Sequence, residues 1–291
     1  MSEIITREPR GDEMPVWRSI WENVFGCVGM EAFFLRFFSP DLCVIAEFEG
    51  SPAAMGYLVP FGEIVTGSES IHCMMIYSVA TRPEYRGKGL GTAVVRKLIE
   101  RAREYDFSTV VLCPSEDGLF EYYSARTDLR DYFYVKESIF KTAPVSTNKV
   151  IPVEISTSEY YYLRENLLND TIHIKHDLRA LGYQAEICKE LGGGLYKIGD
   201  CCAVVERQCN NKVWVKELLT SNGQNVGLNS TLFINDILAS IACVFPADEY
   251  VVRTPAMLGE GRRFGMLVHS NEKTSTSVST KFAPWYGIAF D

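Results

Sequence analysis

Arg86-Gly87-Lys88-Gly89-Leu90-Gly91 is the stretch that decides how this chain folds. It follows a nearly unbroken apolar run, Ile71 to Ala80, and precedes a helix-like segment, Thr92 to Tyr105. Glycines at alternate positions permit close backbone approach and dihedrals closed to other residues. Where a strand feeds a helix, such a loop converges several unpaired N–H groups on one point. The helix dipole adds partial positive charge there. Arg86 and Lys88 contribute full charges. The segment predicts a cradle for a phosphate or pyrophosphate.

A P-loop would need four residues between its glycines and then Gly-Lys-Ser/Thr, which no segment supplies. A dinucleotide fingerprint needs Gly-x-Gly-x-x-Gly, whereas these glycines run Gly-x-Gly-x-Gly. The hexamer instead resembles the Arg/Gln-x-x-Gly-x-Gly/Ala loop of the GNAT acetyltransferases, with Arg86, Gly89 and Gly91 at its three defining positions. Tyr77 to Tyr85 resembles the strand end and turn that precede this loop in the family. Val16 to Gly26 is similar to the opening of bacterial tandem-domain GNAT proteins. The resemblance is close over residues 1–140 and weak beyond.

Composition sets outer bounds. A chain of 291 residues exceeds the usual single-domain range, so two domains are expected. Its 47% hydrophobic content is ample for buried cores. A net charge of −8 argues against nucleic-acid binding, which needs a basic face. Nine cysteines, an odd number mostly within apolar runs (Cys43, Cys73, Cys113, Cys243), do not form a secreted disulfide pattern. The N-terminus shows no signal peptide, and no apolar stretch reaches the roughly 18 residues that crossing a bilayer requires. A cytoplasmic protein is expected.

The first half reads as alternating α/β structure. Trp17 to Phe38 predicts two short helices broken near Gly26 and Gly29. Leu42 to Phe48 and Ala53 to Pro60 predict strands joined by the turn Glu49-Gly50-Ser51-Pro52. Ile71 to Ala80 predicts a central strand covered on both faces. After it, Val95, Leu98, Ile99 and Ala102 recur at helical spacing, with Arg96, Lys97, Arg101 and Arg103 on a wet basic face. Thr109 to Cys113 supplies a parallel strand through a right-handed crossover. Gly118 to Tyr123 starts a further helix, and Tyr132 to Phe140 a strand.

Thr142 to Pro152 reads as a linker. Beyond it the plan repeats: helices over Ser158–Asn169 and Lys175–Leu191, and strands over Leu195–Ile198, Cys201–Arg207 and Val213–Thr220. A helix over Asn229–Phe245 and a strand over Glu249–Thr254 follow. Phe264–His269 and Trp285–Phe290 would close that sheet. The expectation is an α/β fold, a GNAT-like mixed twisted sheet flanked by helices, in two tandem domains. The catalytic domain would span 1–141, the linker 142–152, and a second, degenerate domain 153–291. Degeneracy follows from Ser221 to Gly227, which carries no basic residue and no properly spaced glycine pair. Such a domain would wall off the substrate cleft or mediate homodimerisation.

The resemblance implies acetyl-CoA as cosubstrate and an amine of a small molecule or peptide as acceptor. It implies that the pyrophosphate sits on the N–H groups of Arg86, Gly87, Lys88, Gly89, Leu90, Gly91 and Thr92. Main-chain groups of Ser78, Val79 and Thr81 would meet the pantetheine arm, with the Val79 N–H near the thioester carbonyl. Leu119 to Tyr123 resembles the family motif whose tyrosine lies near the coenzyme sulfur, which makes Tyr123 the candidate general acid. The usual Gly-Phe pair is replaced downstream by Arg126 to Leu129, so the choice between Tyr122 and Tyr123 stays open. Glu47, Glu49 and Glu116, or a water chain, remain open as base, and so does the terminal carboxylate at Asp291, which serves in some multi-domain relatives.

His173-x-x-His176 would place two imidazoles on one helical face, but no further ligands complete a metal set. Cys201 and Cys202, adjacent on a strand, point to opposite faces. Hydrolase chemistry has no Gly-x-Ser-x-Gly signature. Thr274 to Thr280 reads as a loop. The sequence thus predicts a metal-independent acyl-CoA-dependent N-acyltransferase. A non-catalytic coenzyme-A binding module and an aminoacyl-tRNA-dependent transferase are the rivals.

Overall fold

The computed structural model describes residues 3–107, 109–209, 211–220, 230–269 and 281–290. They form two compact units. Met1–Ile64, Ser70–Tyr132 and Phe264–Ser277 make the first, and Val65–Glu69, Phe133–Arg263 and Val278–Asp291 the second. The chain opens with Ile4–Arg7 (β1), Met14–Phe25 (α1), Met30–Arg36 (α2), Cys43–Phe48 (β2), Ser51–Thr66 (β3) and Glu69–Thr81 (β4). Leu90–Glu104 (α3), Thr109–Leu112 (β5), Gly118–Ser124 (α4) and Arg130–Phe140 (β6) follow. Next come Val153–Glu154 (β7), Thr157–Leu167 (α5), His173–His176 (β8), Leu178–Glu190 (α6), Gly194–Ile198 (β9) and Cys201–Gln208 (β10). Lys212–Leu219 (β11), Ser230–Val244 (α7), Glu249–Pro255 (β12) and Arg262–His269 (β13) complete the order.

In the first unit β1, β2 and β3 pair antiparallel, and β4 lies beside β3. β4 and β5 run parallel, so α3 is the crossover between them. Cys73 to Ile76 are all buried, as a central strand covered on both faces requires. α3 turns Val94, Val95, Leu98, Ile99 and Ala102 onto the sheet, against Val44, Leu58, Met74 and Val110. α1 and α2 close another part of the unit with aromatic rings: Trp17 meets Tyr57 edge-on, and Trp21 meets Tyr77. Such pairs add about 0.5–1.5 kcal/mol each beyond their buried area.

The second unit repeats this order. α5 and α6 precede the antiparallel strands β9, β10 and β11, and α7 joins β11 to the parallel strand β12. β6 adds antiparallel to β12. At its centre Arg164 and Glu217 are both fully buried, with Arg164 Nε 2.9 Å from Glu217 Oε2. Tyr160 Oη and Trp285 Nε1 also donate to that carboxylate, at 2.7 and 2.8 Å. The pair is therefore satisfied by neutral donors as well as by its counter-charge, the condition under which burying two ions is tolerable.

Five expectations change. The helix predicted over Lys175–Leu191 starts at Leu178, because Asp177 caps it by accepting from the Ala180 N–H at 2.7 Å. His173 to His176 is consequently strand β8, so the two histidines do not share a helical face. Trp285 to Phe290 is no strand; it forms an isolated bridge at His173–Trp285, with the Trp285 N–H donating to Ile172 O at 2.8 Å. The predicted strand Phe264–His269 exists as β13, but it pairs antiparallel with β5 and so completes the first unit. Arg101, expected on the wet face of α3, is 7% exposed, its Nη1 2.7 Å from Glu8 and donating to Asp41 O at 2.6 Å. Cys201 and Cys202 do lie on one strand, β10, and both are buried.

Among the described residues no helix is long and apolar enough to cross a membrane. Ser221–Gly227, Thr274–Thr280 and Asp291 lie outside the described residues. The placement of α3 depends on Gly56 of β3, where a Cβ would stand 2.5 Å from Val94 Cγ1 and 2.9 Å from Leu98 Cδ1. Gly56→Ala should therefore lower stability by about 1–3 kcal/mol through overpacking, read as a fall in denaturation midpoint with unchanged m-value.

Candidate active site

The parallel ladder of β4 and β5 couples Cys73 to Thr109 and ends at Ile76 with Leu112. β4 continues to Thr81, so its last stretch, Tyr77 to Thr81, runs on past the β5 partner. Within it Ser78 adopts φ +53°, a left-handed conformation that costs a non-glycine residue energy and marks functional sites. Ser78 is 8% exposed, and its Oγ is buried without a hydrogen-bond partner. The kink re-aims the peptide groups of Ser78 and Val79 relative to a regular strand. Val79 itself is half-buried against the core of the first unit.

A short turn, Pro83 to Tyr85, leads from β4 to the glycine loop. Gly87 and Gly89 have φ +78° and +85°, and Gly89 is the residue before α3. Only glycine adopts such dihedrals without penalty, which explains both residues locally. The first bond of the helical ladder runs from the Ala93 N–H to Gly89 O at 3.1 Å. The amides of Leu90, Gly91 and Thr92 lie ahead of it, at the positive end of a 15-residue helix. Arg86, Gly87, Lys88 and Gly89 are exposed, while Leu90 and Thr92 are buried.

The two cations of the loop are already positioned. Arg86 Nε donates to Thr81 O at 3.3 Å, which ties the loop to the end of β4. Lys88 Nζ stands 4.1 Å above the Phe48 ring and 5.4 Å from that of Tyr85. Both aromatic partners of Lys88 escaped the sequence reading, since their placement depends on the fold. Thr92 Oγ1 and Tyr122 Oη lie 2.6 Å apart, so the tyrosine before the candidate acid contacts the cradle itself.

Tyr123 packs edge-on against Tyr122, with ring centroids 5.3 Å apart. It is 7% exposed, and burial, aided by the neighbouring Tyr122, pushes its phenol up to about 12. The group is thus protonated throughout the neutral range. Of the carboxylates considered as bases, Glu47 accepts from Arg7 Nε at 2.8 Å, and Glu49 sits in the β2–β3 turn at φ +52°. Ser78, Val79 and Thr81 at the end of β4, the loop, and Thr92 at the head of α3 follow one another at the junction of one strand–turn–helix segment.

One family model and several solved structures match the chain. The family model described as "Acetyltransferase (GNAT) family" matches residues 12–123. No curated protein matches the sequence significantly. Among solved structures, a GCN5-related N-acetyltransferase from Kribbella flavida is similar at TM-score 0.63 and 14% identity, covering 91% of this chain and 71% of its own. One from Anabaena variabilis gives 0.61 and 12%, with coverages of 92% and 73%. A tandem GNAT protein from the clavulanic acid biosynthesis pathway gives 0.55 and 12%, with coverages of 94% and 100%. Residues 12–123 are thus similar to the acetyltransferase (GNAT) family, and the chain shares its fold with GNAT proteins, a tandem one among them.

Proposed function

We propose that the chain is an acyl-CoA-dependent N-acyltransferase, moving acetyl from acetyl-CoA to an amine of a small molecule or peptide directly, within a ternary complex. One observation carries this reading: the β4–β5 ladder ends at Ile76 and Leu112, in the same segment that leads to a glycine-lined helix start. Two details fit a nucleotide thioester there. A Cβ at Gly89 meets nothing within 4 Å, and one at Gly91 meets only Thr81 Oγ1 at 3.7 Å, so the ground above the first turn is open. Ser78 Oγ is buried without a partner beside the kinked strand.

In this reading the amides from Arg86 through Thr92 hold the diphosphate, and the main chain of Ser78, Val79 and Thr81 holds the pantetheine arm. When bound, the coenzyme supplies an acyl thioester, whose transfer forms a C–N bond and breaks a C–S bond. The Val79 N–H would stabilise negative charge developing on the carbonyl oxygen, a role worth about 2.7–4 kcal/mol when one such donor is removed. Tyr123 would give its phenolic proton to the departing sulfur. The amine proton leaves through a side-chain base or through water.

A binding module without catalysis has two observations in its favour: Tyr123 is largely enclosed, and Glu47 is held by Arg7. Thiol release in the presence of an amine library separates the two readings. The second unit we read as not binding coenzyme. Its parallel ladder ends at Val215 with Val252, and two residues on, where the first unit has Ser78, stands Glu217 locked to Arg164. A buried carboxylate at that point repels a developing oxyanion.

Gly91 gives a clean test, because the free protein has room for a side chain there. Gly91→Val should weaken coenzyme A binding more than tenfold, about 1.4 kcal/mol, with the thermal midpoint nearly unchanged; unaltered affinity would count against the cradle. Tyr123→Phe should lower kcat by about 10²–10⁴ while coenzyme affinity stays within twofold. Because Tyr123 is held at about 12 against an ordinary 10, the wild-type rate should show no descending limb from it below pH ~11. By the same linkage its stabilising contribution is complete below pH 10 and is lost as pH rises to about 12, measurable in alkaline melts of wild type against Tyr123→Phe.

A further inference from the structure

A second positively charged concavity lies further along α3. It has a volume of about 410 Å³ and is lined by Arg96 and Arg103 of α3, by Ser124 to Asp128 at and just beyond the end of α4, and by Arg130 at the start of β6. Glu100 and Asp128 also face it. Each of these carboxylates is already matched: Glu100 lies 3.2 Å from Lys97 Nζ, and Asp128 lies 3.9 Å from Arg103.

Among the described residues the other three cations, Arg96, Arg126 and Arg130, pair with no carboxylate and hold carbonyl oxygens instead. Arg96 Nε donates to Arg126 O at 2.8 Å, and Arg126 Nη1 donates to Tyr122 O at 3.2 Å. Arg130 Nη1 donates to Ser124, Thr127 and Leu129 carbonyls at 2.8–3.2 Å. Steadying the C-terminal end of α4 explains one nitrogen of each guanidinium. It leaves the terminal nitrogens of Arg96 and one face of Arg126 for something else. Three uncompensated positive charges around one hollow are unexpected in a chain of net charge −8.

The hollow connects to the cradle. Arg126 stacks on the Tyr122 ring at 4.3 Å, and Tyr122 Oη is 2.6 Å from Thr92 at the helix start. Thr92, Arg96, Ile99 and Arg103 recur at helical spacing and so share one stripe of α3. At about 1.5 Å per residue, Arg96 is only about 6 Å along the axis from Thr92.

The geometry points to a phosphate-monoester site in this hollow, with Arg96 and Arg126 as its ligands. Planar guanidinium forks suit the bidentate recognition of phosphate oxygens. Two sources supply that chemistry: the ribose phosphate at the distal end of the coenzyme, or a free phosphorylated small molecule. The first source rests on the acyltransferase reading above; the second does not.

The test measures the affinities of coenzyme A, 3′-dephospho-coenzyme A and inorganic phosphate for wild type and for the double variant Arg96→Gln/Arg126→Gln. Both residues are exposed, so the fold should survive, which a melting curve checks. If the coenzyme is the source, wild type prefers coenzyme A to its dephospho form about tenfold or more. The variant then binds coenzyme A at the dephospho level, with dephospho-coenzyme A unaffected. If the source is a free ligand, both coenzymes bind wild type and variant alike, while inorganic phosphate binding at saturating coenzyme A is lost in the variant. Arg126→Lys, which keeps the charge but not the fork, should fall between the two. The proposal is overturned if the double variant changes the affinity of none of the three. A wild type that binds phosphate but no coenzyme would sink the cradle and leave this site standing.

Discussion

Two parallel strands that part before both have ended leave one of them with peptide groups its former partner can no longer engage. In the first unit that parting occurs after Ile76 and Leu112, and everything proposed for the site depends on it. The left-handed Ser78 stores conformational energy at that spot, which is tolerated because the flanking residues Ile76 and Ala80 are buried. The turn that follows then delivers the glycine loop to the head of α3. Gly56 lets the same helix press against β3, so the cradle and the opened strand are held by one rigid contact.

The second unit shows what the same topology does with a different residue at the parting. Its strands separate after Val215 and Val252, but the position beyond carries Glu217, surrounded by Arg164, Tyr160 and Trp285. Gly287 packs so closely that a Cβ would come within 2.3 Å of the Glu217 carboxylate. Charge and shape are spent there on internal cohesion. The two units illustrate how one topology leaves a strand end open or seals it with a polar core, depending on a few side chains.

The sequence carried the site better than the assembly of the sheets. The glycine loop, the apolar β4 and the amphipathic α3 were legible because each is a local property of spacing and backbone freedom. The start of α6 was misplaced because apolar spacing continues smoothly across Asp177, and the capping bond of that residue outweighs it. Arg101 was misread as solvated: helical periodicity cannot tell a wet face from one covered by Glu8 and Asp41. Trp285 to Phe290 looks like a strand because it is apolar, yet what ties it in is Trp285, whose N–H donates to Ile172 O, whose C=O accepts from the Ile174 N–H and whose indole donates to Glu217. The contact of Tyr122 with Thr92, and the aromatic seat of Lys88, need the folded chain to be seen at all.

The partner of β5 has a bearing on how the protein is made. Thr109 and His269 face each other across that pairing, 160 positions apart in the chain. At a synthesis rate of about 5–20 residues per second, roughly 8–32 s separate the emergence of the two strands from the ribosome. For that interval β5, one of the least polar strands, waits with an open edge. An exposed edge of that kind invites wrong pairing. Nascent chains should therefore depend on chaperone cover until β13 has emerged, a vulnerability the folded protein no longer shows.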